Sequence, residues 1–363
     1  MRGILHLQDG ERQKGRSGVS GKFCLDLTKE ELELWCKENG IQSYRAGQIH
    51  KWLSSGVTDT KDMNNVPAAV RAKLEESFIF GSFKIRQKLV SAIDGTTKFV
   101  YELHDGNIIE TVVMRYKTGL SVCISSQAGC KMGCTFCASA KLGFGRSLSS
   151  GEMFAQVAVS QREMGERIRS VVIMGIGEPF DNFDAVIGFV KLANDPNGLN
   201  LGARHITIST CGLVPMIDRF TELDLQVNLS VSLHAATDEL RKKLMPIGRK
   251  YALNELMDAC RRYVSKTNRR LTFEYSLFAN VNDSEKDAET LVRLLGKGLW
   301  HVNLIAANEF PGSDYHTSPK HRVRRFQEIL ESGGINATLR REMGTDIMAA
   351  CGQLRRGMET KEQ

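Results

Sequence analysis

The sequence contains no apolar run that approaches the roughly 20 residues a helix needs to cross a bilayer. Residues 1–22 are polar and glycine-rich, without an apolar stretch of signal-peptide length, and are expected to form a flexible tail on a cytosolic protein. Internal repeats and low-complexity segments are also lacking among the 363 residues. A chain of this length can bury one large core with a smaller appendage. The sequence therefore predicts a cytosolic globular protein without a membrane-spanning segment.

The sequence does contain nine cysteines, and its net charge is mildly positive, at +7. Because the cytosol keeps thiols reduced, structural disulfides are not expected, and clustered cysteines there more often hold a metal or take part in chemistry. The positive charge is compatible with a polyanionic partner, although a slightly basic globular protein would show the same excess.

The order of helix and strand patterns divides the chain into parts. Residues 23–85 carry helix patterns and predict a small helical accessory domain, and residues 86–120 predict a β-rich connector. Within 121–340 strands alternate with helices, which indicates right-handed βαβ units and a parallel sheet. The strand patterns lie at 121–126, 170–174, 205–209, 227–233, 271–277 and 301–306. Because six units are too few for a closed eight-stranded barrel, the predicted fold is α/β, a partial (β/α)6 barrel with the helical domain at its N-terminal side.

Three cysteines in a short loop after the first of these strands carry the strongest chemical signal. They are Cys130, Cys134 and Cys137, at spacings of four and three residues. Cysteine thiolates are the usual ligands of iron–sulfur clusters, and clusters that only transfer electrons normally take four, so three leave one iron open to another molecule. The alternative is a zinc site completed by Cys123 or Cys211, although structural zinc prefers paired two-residue spacings and four closed ligands.

This loop and two neighbouring segments resemble a known family. The cysteine spacing, with Phe136 before the last cysteine, is similar to the radical SAM signature. The stretch from Cys123 to Cys130 and the stretch from Asp346 to Leu354 narrow the resemblance to the RlmN/Cfr family of RNA adenosine methyltransferases, over residues 23–354. The resemblance implies a 4Fe–4S cluster on the three cysteines and S-adenosylmethionine (SAM) as the second cofactor.

The resemblance also implies a SAM site at the carboxyl ends of the predicted strands, the face where such barrels place their sites. Gly177 and Glu178, in a glycine-rich turn after a strand, would hold the amino end of the methionine moiety. Taken alone this turn is unremarkable, and it is not a dinucleotide fingerprint, because Phe180 stands at the third glycine position. The other SAM contacts implied by the resemblance are Ser209, Ser232, Leu233, His234 and Asn308. Taken singly, such serines usually bond locally at a strand end, and a lone histidine is usually structural.

Three further residues receive catalytic roles from the same resemblance. Cys351, in the tail 341–363, would carry a methyl group, Cys123 would later form a transient disulfide with it, and Glu110 would accept a proton. Without the resemblance, the two cysteines would be small buried hydrophobes and Glu110 could face solvent from its strand. Met348 departs from the family pattern, which has an acid there. A radical route is implied because the adenine carbon between two nitrogens is too electron-poor to attack the methyl group of SAM.

The implied substrate is an adenosine of 23S rRNA in the peptidyl-transferase centre, methylated at C2, with a tRNA adenosine beside the anticodon as a second substrate. An electron donor such as flavodoxin or ferredoxin, and a monomeric protein, are expected. Methylation at C8, which confers antibiotic resistance, is the main alternative, although Pro179 and the motifs at 209–212 and 308–312 look more like the C2 enzymes. A non-enzymatic iron–sulfur or zinc RNA-binding module is the second alternative. Candidate phosphate contacts are the pairs Arg261-Arg262, Arg269-Arg270, Arg324-Arg325, Arg340-Arg341 and Arg355-Arg356.

Overall fold

The computed structural model describes residues 21–81 and 83–354. The predicted flexible tail, apart from its last two residues, and the pair Arg355-Arg356 lie outside the described residues. Among the described residues, no helix is both long enough and apolar enough to cross a membrane.

Three helices build the N-terminal unit: α1 (Lys29–Glu38), α2 (Tyr44–Ser54) and α3 (Ala68–Ser77). Thr28 starts α1 with a capping box, in which its side chain accepts from the Glu31 backbone N–H and the Glu31 side chain accepts from the Thr28 backbone N–H. Buried side chains such as Leu32 and Ile49 join these helices to the main core. His50 of α2 lies 3.4 Å from Asp195, and so links the unit to the larger part of the chain.

A sheet of ten strands forms the centre of the molecule, in the order β1-β2-β3-β4-β7-β8-β9-β10-β11-β12, and β5 pairs with β6 in a separate hairpin. The strands are β1 (Lys84–Val90), β2 (Thr97–Glu102), β3 (Ile108–Tyr116), β4 (Gly119–Ile124), β5 (Gln127–Gly129), β6 (Phe144–Ser147), β7 (Ile168–Ile173), β8 (Ile206–Thr210), β9 (Asn228–Ser232), β10 (Leu271–Leu277), β11 (Trp300–Ala306) and β12 (Asn336–Leu339). Strands β1 to β4 are antiparallel to one another, whereas β4 and β7 to β12 are parallel.

Helices follow the parallel strands as the alternating pattern predicts. They are α4 (Ser150–Met164), α5 (Phe183–Asn194), α6 (Val214–Thr221), α7 (Asp238–Leu244), α8 (Leu253–Thr267), α9 (Glu285–Leu295) and α10 (Lys320–Ser332). Helix α4 begins at a capping box between Ser149 and Glu152 and ends at Gly165, whose φ of 62° is the left-handed conformation that closes many helices. The strands bury β-branched and leucine side chains between these helices and the barrel interior.

The predicted α/β fold, a partial barrel with an N-terminal helical unit, is confirmed. The structure adds a seventh parallel strand, β12, and shows that β1 to β3 extend the barrel sheet itself. Strand β1 has no apolar alternation that would have revealed it, because most of its residues are exposed and three of its seven are cationic. The boundaries predicted at residues 85, 120 and 340 stay predictions.

Candidate active site

The three cysteines of the loop line one cavity at the carboxyl ends of the parallel strands, here called the cluster cavity. The β5–β6 hairpin supports the start of the loop, where the Cys130 N–H donates to the carbonyl of Gly143 at 3.1 Å. Farther along, the Thr135 N–H donates to the carbonyl of Leu244 at 3.0 Å, and the Cys137 N–H donates to the carbonyl of Cys134 at 3.1 Å. The backbone therefore fixes the loop at both ends and at its middle.

The thiols of this loop fit an iron–sulfur cluster. Burial raises the pKa of Cys130 to about 11 and also raises the pKa of Cys134 and Cys137, so the thiolate forms need a cation beside them. Within the described ranges, no three His, Cys, Asp or Glu side chains are placed to hold one metal ion. A single zinc ion would draw its sulfur ligands to about 3.8 Å from one another. A cubane accommodates wider spacing, because each thiolate binds a different iron.

Gly177 and Glu178 lie in the same cavity, directly after β7. Gly177 has a φ of +108°, and an added Cβ would lie 2.6 Å from the Cβ of Gln127, so the turn requires glycine. The Glu178 carboxylate is buried, and it accepts from the backbone N–H groups of Cys211 at 2.7 Å and Phe180 at 3.0 Å. Burial raises the pKa of Glu178. An anion held in this way is suited to a bound ammonium group.

The remaining predicted SAM contacts divide into two groups. Ser209, Ser232, His234 and Asn308 line the cluster cavity. Leu233 is fully buried and is not among the residues lining the cavity.

His234 has a defined structural environment within the cavity wall. Its φ is 54°, its Nδ1 accepts from the Ser276 N–H at 2.9 Å, and the edge of its ring contacts Phe136 at a centroid distance of 4.8 Å. Burial, with Arg241 nearby, lowers the pKa of His234 to about 3, so the ring is neutral at physiological pH. A neutral imidazole with one nitrogen occupied by Ser276 offers a single N–H to a ligand.

Cys351 lies at the boundary between the cluster cavity and a second cavity, here called the thiol cavity. The thiol cavity is lined by Cys123 of β4, together with Val112, which is the register partner of Cys123 on β3. The Asn308 side-chain amide donates to the carbonyl of Cys351 at 3.2 Å. Burial raises the pKa of Cys123 to about 12. The structure therefore brings the two predicted thiols to one cavity and the three loop cysteines to the adjoining one.

Glu110 is buried in β3, and it lines neither of these two cavities. Its carboxylate lies 3.4 Å from the ammonium of Lys98, which donates to the carbonyl of Met348 at 3.1 Å. Glu110 therefore lies beneath the C-terminal segment. Lys98 links its carboxylate to the backbone three residues before Cys351.

Two arginines of the site have no signal in the sequence that sets them apart. Arg241 of α7 is almost fully buried and donates to the carbonyls of Cys211 at 2.7 Å and Leu233 at 3.0 Å. Arg340 lines both cavities and lies 3.5 Å from the carboxylate of Glu274. The negative charge that Cys351 carries as a thiolate, together with that of the Glu274 carboxylate, raises the pKa of Arg340. Arg340 was predicted only as one half of a phosphate-binding pair.

Arginines in two of the other basic pairs form ion pairs with acidic side chains. Arg261 pairs with Asp258 at 2.7 Å and Arg262 with Asp218 at 2.8 Å. Arg325 pairs with Glu285 at 3.2 Å. These contacts favour solvated helix faces over phosphate binding for these three residues.

Comparison with known proteins agrees with the geometry. Residues 124–292 match the Radical SAM superfamily, and residues 24–80 match the ribosomal RNA large subunit methyltransferase N-terminal domain. A probable dual-specificity RNA methyltransferase RlmN of Clostridium tetani is 50% identical over 332 residues, which are 92% of this chain and 95% of that protein. The protein of the same name from Alkaliphilus metalliredigens is 49% identical over 92% of this chain and 94% of its own length.

A solved structure shares the whole architecture. The crystal structure of a radical SAM methyltransferase from Sphaerobacter thermophilus superposes with a TM-score of 0.88 and 43% identity, covering 92% of this chain and 99% of its own. Radical SAM enzymes use a 4Fe–4S cluster and SAM, which are the cofactors that the family resemblance implies. The chain belongs to the RlmN family of radical SAM, dual-specificity RNA methyltransferases.

Proposed function

We propose that this protein methylates C2 of an adenosine in the peptidyl-transferase centre of 23S rRNA, and an adenosine beside the anticodon of a tRNA, in the cytoplasm. The observation that carries the proposal is the position of Cys351, between a cavity lined by Cys130, Cys134 and Cys137 and a cavity lined by Cys123. A thiol that receives a methyl group, is activated and is then released by a second thiol has to reach all of these groups. The curated relatives are named dual-specificity RNA methyltransferases, which supports two RNA substrates.

The cluster cavity has the groups to hold both cofactors. Cys130, Cys134 and Cys137 would bind the cluster, and the carboxylate of Glu178 would bind the ammonium of SAM. Ser209, Ser232, His234 and Asn308 would complete the SAM site, and Leu233 would support it from behind. When bound, the cluster and SAM supply the one-electron chemistry that activates an otherwise inert methyl C–H bond. The protein positions the carrier thiol and excludes water.

The two thiols of the thiol cavity would play different parts. Cys351 is exposed and would carry the methyl carbon to the adenine ring. Cys123 has a pKa of about 12, so it stays protonated and unreactive at neutral pH until a base takes its proton. Its attack on the sulfur of Cys351 forms the disulfide and breaks the sulfur–carbon bond. The electron pair of that bond stays with the methylene carbon, which takes up a proton and leaves as the methyl group of the base.

Glu110, or a group that it governs, would accept the ring proton. Its carboxylate is desolvated and lies 3.4 Å from Lys98, which also contacts the C-terminal segment at Met348. A buried carboxylate within reach of the bound base is a reasonable proton acceptor. Because Glu110 lines neither cavity, proton transfer requires a displacement of the segment above it or an intervening water molecule.

RNA binding is assigned to the N-terminal unit, which matches the N-terminal domain of a ribosomal RNA methyltransferase. An adenine has to leave its stack for its ring carbon to reach the thiol of Cys351, and RNA loops offer unstacked bases. We assign the reducing electron to a small carrier such as flavodoxin or ferredoxin, and we expect the protein to act as a monomer.

Anaerobic incubation of the cluster-loaded protein with SAM, a reductant and a target RNA tests the proposal. The expected products are 5′-deoxyadenosine and RNA in which mass spectrometry finds 2-methyladenosine. Finding 8-methyladenosine instead would overturn the assigned ring position. A protein that binds the RNA but releases no 5′-deoxyadenosine would be a binding module.

A variant separates the roles of the two thiols. Cys123→Ala is expected to allow addition to the base and to block release, so that a covalent RNA–protein species accumulates. The matched control is Cys260→Ala, at a buried cysteine of α8 outside both cavities, which should turn over normally. Normal turnover by Cys123→Ala, without a covalent species, would refute its role as resolving thiol.

A further inference from the structure

We propose that the turn between β1 and β2, residues 91–96, is a clasp that positions the carrier thiol Cys351, and that Asp346 is the positioning residue on which it acts. The inference rests on the proposed function, in which Cys351 carries the methyl group. The clasp lies between the N-terminal domain match, residues 24–80, and the Radical SAM match, residues 124–292.

The first contact of the clasp uses both oxygens of the Asp346 carboxylate. Oδ1 accepts from the hydroxyl of Ser91 at 2.7 Å, and Oδ2 accepts from the backbone N–H of Ala92 at 2.9 Å. The Ser91 oxygen in turn accepts from the N–H groups of Ile93 at 3.2 Å and Asp94 at 3.3 Å. Hydrogen bonds to an ionised carboxylate are the stronger kind, so this pair joins the C-terminal segment firmly to a turn some 250 residues earlier in the chain.

The second contact lies two residues before Asp346. The N–H of Gly344 donates to the carboxylate of Asp94 at 3.0 Å. Gly344 has a φ of +61°, and an added Cβ would lie 2.8 Å from the Cγ2 of Thr96, so the backbone approaches the turn closely. Asp94 is itself held, because its other oxygen accepts from the Thr96 N–H at 2.9 Å. The turn, itself held by internal hydrogen bonds, therefore binds residues 344–346.

The third contact comes from β2, two residues beyond the turn. Lys98 donates to the carbonyl of Met348 at 3.1 Å, while its ammonium pairs with Glu110. Met348 has a φ of 53°, a left-handed backbone conformation that residues other than glycine seldom adopt. Such a conformation persists when contacts on both sides hold it. Residues 344, 346 and 348 are thus all fixed by the same hairpin.

Beyond Met348 the contacts change to the opposite wall. The carbonyl of Gly352 accepts from the Ala138 N–H at 2.8 Å, and the carbonyl of Leu354 accepts from the Ser139 hydroxyl at 2.8 Å. Cys351 therefore lies between two supports, the clasp on one side and the cysteine loop on the other. To serve both cavities, Cys351 has to move while the residues that precede it, 344–348, stay in place. The clasp holds those residues in place.

Hydrogen–deuterium exchange of the cluster-loaded protein tests the clasp without relying on turnover. Asp346→Ala and Ser91→Ala are expected to speed exchange in residues 344–354 by about tenfold, because charge-assisted bonds are lost. Asp346→Asn keeps an acceptor oxygen and should restore part of the protection. Asp224→Ala, at an exposed aspartate before β9, is the matched control and should exchange like the unaltered protein.

A second measurement separates positioning from simple destabilisation. The ratio of methylated adenosine to 5′-deoxyadenosine is unaffected by an unfolded fraction, because loss of folded enzyme lowers both products equally. A displaced carrier lowers the ratio, and we expect a fall of about tenfold in Asp346→Ala. Asp346→Asn should show a smaller fall. If Asp346→Ala fails to load its cluster, Ser91→Ala and Asp346→Asn provide the same test with less disturbance.

The outcomes are distinct. Exchange and product ratios equal to those of Asp224→Ala in all three clasp variants would overturn the clasp while leaving the methyltransferase proposal intact. An unaltered protein that makes neither product would overturn the proposed function, whereas the exchange experiment would still decide whether the clasp holds the segment.

Discussion

The guanidinium of Arg241 donates to the carbonyl of Cys211 at 2.7 Å and to the carbonyl of Leu233 at 3.0 Å, and so joins α7 to the segments that follow β8 and β9. It is 1% exposed, and burial lowers its pKa. Ser209 and Ser232, two residues of the cluster cavity, lie at the carboxyl ends of these two strands, next to the bonded carbonyls. A single buried cation thus fixes the relative position of two strand ends.

Arg241→Met is expected to destabilise the protein by about 3 kcal/mol, because at least two buried carbonyls lose their donor. Denaturant unfolding measures this loss, and calorimetric titration of the cluster-loaded protein should show weaker SAM binding. Arg293→Met, at an exposed arginine of α9, is the control and should change neither quantity. SAM affinity unchanged in Arg241→Met would contradict the positioning role.

Gly177→Ala is expected to abolish the SAM site, because the new Cβ would lie 2.6 Å from the Cβ of Gln127 and the backbone has a φ of +108°. The strain and displacement should cost about 1–3 kcal/mol of stability. Gly47→Ala is the matched control, since it lies within α2 with no atom near the added Cβ, and should stabilise by about 0.5–1 kcal/mol. Thermal unfolding and SAM titration of both variants provide the comparison, and normal SAM binding by Gly177→Ala would count against the site.

Lys98→Met removes the cation that lies 3.4 Å from the buried carboxylate of Glu110. Breaking one side of a buried ion pair typically destabilises by about 3–5 kcal/mol. The double variant Lys98→Met/Glu110→Gln should recover most of that loss, because the buried negative charge is also removed. Denaturant unfolding of the two single variants and the double variant gives the coupling energy, and a value near zero would show that the pair is not coupled.

His50 gives the N-terminal unit a pH dependence. Burial lowers its pKa from 6.5, although Asp195 at 3.4 Å opposes the shift. A folded-state pKa below the unfolded value means that the stabilisation is present above pH 6.5 and is lost as the pH falls below it, by up to about 1.4 kcal/mol per pH unit. His50→Gln should flatten this part of the stability profile, whereas His316→Gln, at an exposed histidine, should not. Parallel profiles for the unaltered protein and His50→Gln would refute the assignment.

The sequence predicted those elements whose patterns are local. The strand predicted at 271–277 matches β10 residue for residue, since apolar periodicity and flanking turns define it. The cysteine loop was recognisable because its spacing reflects the shape of the cluster it binds. Helix α7 was missed because it has seven residues, mostly charged, and little apolar periodicity.

Contacts between distant segments were not predictable in this way. The bond between Ser91 and Asp346 joins residues 255 positions apart, and no local pattern marks either partner. The position of Glu110 behind the cavities depends on how the C-terminal segment crosses β3, which a strand pattern does not contain. The sequence allowed candidate chemical groups to be predicted, whereas the path of the chain between them required the structure.

Among the residues that the structure describes, the sheet ends in two edge strands, β1 and β12, because the barrel does not close on itself. Unpaired edges invite other chains to add strands, which is a route to aggregation. Strand β1 carries Lys84, Arg86 and Lys88 in seven residues, and β12 is only four residues long. Charge repulsion at one edge and the short length of the strand at the other discourage such pairing, so an open barrel need not make the protein prone to self-association.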